Sequence, residues 1–236
     1  MLPSLEDDLV NERKFSGRAP AYGRVRAILD SHCSADDRYA AGVVNSVYFD
    51  TPGLAAYRET ANGDNFKTKV RVRWYGLPEE LSAEVPVFVE VKQRLGSARR
   101  KLHEERLAPR ALLLEAPLEG WELADFLFSQ SEALGVPLSR ELRPVCQISY
   151  SRRRYFDTPS MSRVSLDSDI RAERFSRALF PWAQPVRLDA LVCEFKNAGG
   201  NPPRWAALMQ DAGLRIGRFS KYGECLSRLM SGAPNP

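Results

Sequence analysis

Lys67-Thr68-Lys69-Val70-Arg71-Val72-Arg73-Trp74 puts a cation on every second position of one short stretch. In a strand, successive side chains point to opposite faces, so four positive charges share one side. Val70, Val72 and Trp74 share the other. The alternation recurs along the chain. Phe88, Glu90 and Lys92 oppose Val87, Val89 and Val91, and Tyr150, Arg152 and Arg154 oppose Gln147, Ser149 and Arg153. Arg163, Ser165 and Asp167 oppose Val164 and Leu166, while Val192, Glu194 and Lys196 oppose Leu191, Cys193 and Phe195.

One such strand reads most simply as the solvated side of an antiparallel sheet. Several with the same polar type read differently, because an open face normally mixes its charges to limit cross-strand repulsion. Working outward gives strands over Leu9 to Phe15, Val43 to Asp50, Phe66 to Tyr75 and Val87 to Arg94. Ala98 to Leu107, Val145 to Phe156, Arg163 to Ile170 and Leu188 to Asn197 complete a set of eight. Helical periodicity marks Ala19 to Ser31, Leu54 to Arg58, Pro109 to Leu134, Trp205 to Ala212 and Tyr222 to Met230. Eight strands suffice to close a barrel that holds side chains or one small ligand. The expected fold is therefore α+β: an eight-stranded antiparallel β-barrel, or tunnel, with a charged interior and flanking helices.

Closure would draw Lys69, Arg71, Arg73, Lys92, Arg152, Arg163 and Lys196 together. Two like charges ~6 Å apart repel by about 3 kcal/mol at an effective dielectric near 20. Such an interior needs an anion, and the planar guanidinium fork suits phosphate oxygens. Glu12, Glu90 and Glu194 are interleaved among the cations. They relieve repulsion, and their hard oxygens also suit a divalent metal that bridges to phosphate.

The bulk numbers narrow the field. With 236 residues the chain is expected to form a single domain over residues 1–230, followed by a disordered tail at 231–236. Its 34 basic and 30 acidic residues leave a net charge of only +4, so the positive field comes from arrangement, not excess. No apolar run approaches the ~20 residues of a membrane-spanning helix. The first residues lack a signal-peptide pattern. The four cysteines have no metal or redox spacing, which points to a reducing, cytoplasmic setting. Only His32 and His103 occur, which disfavours histidine-based chemistry. No nucleic-acid-binding module is recognisable.

With these residues in place, the chain resembles the VTC domain. This is the polyphosphate polymerase fold of the vacuolar transporter chaperone complex, within the triphosphate tunnel metalloenzymes or CYTH-like group. The resemblance lies in Glu12-Arg13-Lys14-Phe15, Val47-Tyr48-Phe49-Asp50-Thr51, Lys69-Val70-Arg71-Val72-Arg73-Trp74-Tyr75 and Phe88-Val89-Glu90-Val91-Lys92. It continues through Tyr150-Ser151-Arg152, Arg163-Val164-Ser165-Leu166-Asp167, Cys193-Glu194-Phe195-Lys196 and Arg218-Phe219-Ser220-Lys221-Tyr222.

The resemblance implies a tunnel that binds a triphosphate or a polyphosphate chain. In the family's polymerases the γ-phosphoryl of ATP moves onto a growing polyphosphate with a divalent metal, Mn2+ or Mg2+. By position, Arg71, Arg73, Lys92, Arg152 and Arg163 resemble phosphate clamps. Tyr150 and Ser220 would donate hydrogen bonds, with Arg218 and Lys221 reaching in from the start of the last helix. Lys14 matches the basic position of the first strand, and Arg100 or Lys101 that of the fifth. Glu194 is the foremost metal ligand; Glu12 and Glu90 suit either a metal or neutralisation of neighbouring cations. Ser220 suits an N-cap as well as a phosphate contact. A triphosphatase using water as acceptor and a non-catalytic polyanion-binding module are the alternatives.

Overall fold

The alternating residues become the two faces of a sheet in the computed structural model, which describes residues 11–96, 98–130, 133–197 and 201–232. The long strands are β1 (Asn11–Gly17), β3 (Ala41–Asp50), β4 (Phe66–Tyr75), β5 (Glu84–Leu95), β6 (Ala98–Pro109), β7 (Arg143–Asp157), β8 (Ser162–Phe175) and β10 (Leu191–Asn197). Two-residue strands β2 (Ser34–Ala35), β9 (Val186–Arg187) and β11 (Arg215–Ile216) join them. The helices are α1 (Tyr22–His32), α2 (Ala55–Ala61), α3 (Arg110–Leu114), α4 (Glu122–Ser129), α5 (Leu208–Asp211) and α6 (Lys221–Ser231). All eleven strands form one sheet in the order β11, β1, β10, β8, β7, β3, β4, β5, β6, with β2 on β7 and β9 on β8. Every pairing among the described residues is antiparallel.

The eight long strands are those expected, but the sheet is not a closed barrel. Closure would require β6 to pair with β1, and the two are opposite ends of the order apart from β11. The chain itself occupies part of that edge of β1. Phe15 and Ser16 pair with Ile216 and Arg215, and the Gly217 N–H donates to the Lys14 carbonyl at 3.0 Å. Backbone groups satisfied in this way are withdrawn from a ladder with β6. A side chain reaches across instead: Lys92 Nζ on β5 lies 3.7 Å from a Glu12 carboxylate oxygen on β1.

Three apolar clusters hold the layers together. Val70, Val72, Trp74, Val87, Val89 and Val91 pack against Leu113 of α3 and Leu123 and Leu127 of α4. Phe15, Val164, Leu166, Cys193 and Phe195 pack against Val25 and Leu29 of α1 and Met209 of α5. These are the outward sets of the alternation, covered by helices as expected. The third cluster departs from that picture. Tyr222, Cys225, Leu226 and Leu229 of α6 pack on Val44, Tyr48, Ile148, Tyr150 and Val192, which belong to the inward sets. The concave face is therefore part apolar core and part charged wall, and α6 divides the two.

Other boundaries shift for local reasons. The expected long helix from Pro109 to Leu134 is split into α3 and α4 by a turn in which the Gly120 N–H donates to the Pro117 carbonyl. Ser231, expected in the tail, closes α6, and Gly232 follows with φ 59°, a left-handed cap. Residues 233–236 and the expected strand residues Leu9 and Val10 lie outside the described residues. Asp50, 1% exposed, ties α6 to the strand end that precedes α2. It accepts from the Ala56 and Tyr57 N–H groups and, at 2.8 Å, from the Tyr222 hydroxyl.

Leu226 is fully buried between α6 and the sheet. Leu226→Ala is expected to lower unfolding stability in urea by about 2–5 kcal/mol. A loss below about 1 kcal/mol would contradict a concave face filled by this helix.

Candidate functional site

Register brings the charged alternates together. Arg71 on β4 stands opposite Tyr48 on β3 and Glu90 on β5. Its guanidinium pairs with the Glu90 carboxylate and donates to the Tyr48 hydroxyl at 3.0 Å. Arg73 is only 8% exposed. It donates from Nε to Ser46 Oγ at 3.2 Å and from Nη2 to the Tyr150 hydroxyl at 3.5 Å, and Nη1 lies 3.8 Å from Glu90. Lys101 on β6 completes the surroundings of Glu90 at 3.3 Å. Burial alone would raise the Glu90 carboxyl, but Arg71, Arg73 and Lys101 outweigh it and hold it far below the usual carboxylate range.

A second knot joins β7, β8 and α6. Asp167 is completely buried and receives a bidentate pair from Arg152, Nε at 2.6 Å and Nη2 at 2.7 Å. Lys221 Nζ, at the start of α6, reaches the same carboxylate at 2.6 Å. Burial opposes the Asp167 charge; Lys221 and Arg152 overcome it and lower its pKa. Beside this knot, Lys69 Nζ donates to Ser220 Oγ at 3.0 Å, and the same oxygen caps α6 by accepting from the Gly223 N–H at 3.1 Å. Ser220 thus serves as the N-cap while facing the cationic wall. Burial and the nearby Lys14, Lys92, Arg71 and Lys67 press the Lys69 ammonium down to about 8.

The third group lies on β1 and β10. Lys14 Nζ is 2.6 Å from Glu12 and 3.6 Å from Glu194, and Lys196 is 2.9 Å from Glu194. Burial and the neighbouring carboxylate of Glu194 would raise Glu12, but Lys14 and Lys92 leave it lowered. Glu194 is held well below its ordinary value against burial by Lys196, Lys14, Arg152 and Lys221. Among the described residues, no group of three or more His, Cys, Asp or Glu side chains forms a metal nest. Glu12 and Glu194 nevertheless converge on one lysine, and their hard oxygens fit a divalent ion whose remaining ligands are phosphate and water. Glu90 stands apart from that pair, enclosed by two guanidiniums.

A cavity of about 590 Å³ opens along this wall. Lys92, Arg152, Arg163, Lys196, Glu12 and Glu194 line it, with Arg100 and Lys101 from β6 and Arg154 from β7. In the β5–β6 register Lys101 stands opposite Lys92 and Arg100 opposite Gln93, and both line the cavity; of the two, Lys101 also meets Glu90. Arg218 is exposed and is not among the residues lining this cavity. The alternation places Asp167 on the face of Arg163 and Ser165, and Ser46 and Tyr48 on the inward face of β3, but assigns none of the three a partner.

The chain is similar to several solved structures. A proposed adenylate cyclase from Bacillus halodurans shares 14% identity, with 86% of this chain and 87% of that one covered, at a TM-score of 0.44. A proposed adenylate cyclase from Vibrio parahaemolyticus shares 13% identity over 92% of this chain and 98% of that one, at a TM-score of 0.48. The PH1012 protein from Pyrococcus horikoshii shares 14%, covering 86% and 91%, at a TM-score of 0.39. No curated protein matches the sequence significantly. The sequence matches the VTC domain from residue 10 to residue 230, and the chain belongs to the VTC domain family.

Proposed function

We propose that this protein is a metal-dependent phosphotransferase that moves the γ-phosphoryl of ATP onto inorganic polyphosphate in its basic groove. One observation carries the reading. Lys69, Arg71, Arg73, Arg152 and Lys221 come from three separate elements onto one concave face, each held in place by a carboxylate or hydroxyl. Phosphoryl transfer asks the protein mainly for alignment and charge neutralisation, so such a wall is sufficient machinery.

The residues divide the work by position. Arg71 and Arg73 are two residues apart on β4, about 7 Å, and so grip different phosphates of one chain. Asp167 engages the Nε–Nη2 edge of Arg152 and fixes the guanidinium, leaving the Nη1–Nη2 edge to take two oxygens of a phosphate. Lys92, Lys196 and Arg163 draw the polyanion along the groove, while Lys14 and Lys69 meet it deeper in. Glu12 and Glu194 would hold Mn2+ or Mg2+, which when bound neutralises charge developing on the transferred phosphate. The Tyr150 and Ser220 hydroxyls donate to phosphate oxygens.

The second reading is a triphosphatase with water as acceptor. It draws support from the unpaired boundary between β1 and β6, which gives solvent a way to the groove. A cytoplasmic site of action accords with four unpaired cysteines, and among the described residues no helix is long and apolar enough to cross a membrane.

Incubation of the purified protein with ATP and Mn2+, resolved on a gel, is expected to give polyphosphate chains. Free phosphate alone would favour the triphosphatase, and no turnover would refute both. Arg73→Ala should lower the rate by about 100-fold, as loss of a positioned charged donor does; unchanged kinetics would refute its role. Glu194→Gln is expected to shift the Mn2+ requirement upward by roughly tenfold or more, and an unaltered titration would exclude it as a ligand. Lys69 generates a pH effect. Its depressed pKa leaves it neutral above about pH 8 in the free protein, and an anion stabilises its charged form. Triphosphate binding at pH 9 should therefore take up a proton, seen as calorimetric heats that vary with buffer ionisation enthalpy. Lys69→Met should diminish that uptake, leaving the part due to Lys92, whose pKa burial also lowers.

A further inference from the structure

At one end of the concave face the cations give way to aromatic rings. Tyr75 is the next inward residue of β4 after Arg73, about 7 Å further along the strand. Its ring is 42% exposed and meets Phe88 edge-on at 5.9 Å between centroids. The Arg154 guanidinium lies over the Tyr75 ring at 5.4 Å. Arg154 and Tyr75 flank β3 from its two sides: the Arg154 N–H donates to the Ala40 carbonyl at 2.9 Å, and Tyr75 stands opposite Val44. A hydrogen bond of 3.1 Å from Arg154 Nη1 to the Tyr39 carbonyl fixes the guanidinium, and the Tyr39 side chain is itself 67% exposed.

Arg154 also lines the cavity that holds Arg152 and Arg163. Arg154 is thus the link between the two: its guanidinium lies on the Tyr75 ring, and the same residue belongs to the cavity wall, which neither Tyr75 nor Phe88 lines. A flat, solvent-facing ring with a cation stacked on it is the chemistry that binds another flat π system. Ring stacking accepts any base, because every base has a π face. A triphosphate held by Arg71 and Arg73 would leave its organic end at this shelf.

We infer that Tyr75, Phe88 and Arg154 form a nucleobase subsite that selects nucleoside triphosphates over inorganic triphosphate at the mouth of the groove. The inference rests on the triphosphate reading above and names the donor substrate's organic half. Phosphate discrimination stays with the deeper cations; the shelf adds affinity only when a base is present.

Calorimetric titration of ATP and of tripolyphosphate into the full chain, compared with Tyr75→Ala and Tyr75→Trp, tests it. Tyr75→Ala is expected to weaken ATP binding roughly tenfold, to leave tripolyphosphate binding unchanged, and to be rescued by Tyr75→Trp. Tyr75 is part-exposed, so folding survives the change, and tripolyphosphate binding reports it. If ATP binding ignores Tyr75→Ala, or both ligands weaken equally, the subsite is refuted while the triphosphate reading stands. If the wild-type protein binds neither ligand, that reading fails and the subsite falls with it.

Discussion

Repulsion among the inward cations is the constraint around which the sheet is organised. Lys69, Arg71 and Arg73 follow one another on β4, and Lys92 and Lys101 stand beside them on the next two strands. Arginine cannot shed its proton, so compensation has to come from neighbours. Carboxylates supply it in each cluster: Glu90 for Arg71 and Arg73, Asp167 for Arg152 and Lys221, and Glu12 with Glu194 for Lys14 and Lys196. Glu90, Asp167 and Glu194 are buried, and the surrounding cations lower their pKa against the pull of desolvation. The wall is charged, and its innermost members are buried and held by ion pairs.

The carboxylates hold the cations in formation, and Lys92, Lys101, Arg163 and Lys196 line the open cavity beside them. Ser220 and Lys221 extend the same logic to α6. The helix fills half of the concave face with Leu226 and Leu229, while its first residues contribute to the charged half. Packing and anion chemistry thus share one element, and displacement of α6 would loosen both.

The strands and their faces were legible in the sequence because a period of two is a local property that survives any tertiary context. Closure was not. It depends on which edge meets which, and a two-residue strand such as Arg215–Ile216 has no periodicity to read. Partner choice inside the site was hidden for a related reason. The pairing of Arg152 with Asp167 follows from a β7–β8 register that shifts near Ser149, and no single segment encodes it. Lys101 was separable from Arg100 only through its ion pair with Glu90. The amphipathic pattern of α6 announced a buried stripe, yet nothing local told that the stripe would lie on the charged side of the sheet.

A cationic wall balanced by Glu90, Asp167, Glu194 and Glu12 should be stabilised by any polyanion that enters it. Thermal unfolding with tripolyphosphate, against a control of sodium chloride at matched ionic strength, measures this directly. At ligand near 100 times its dissociation constant, mass action adds about 2.7 kcal/mol, which for a chain of this size raises Tm by roughly 5–10 °C. A melting curve that moves no further with tripolyphosphate than with chloride would contradict a concave face built to receive phosphate.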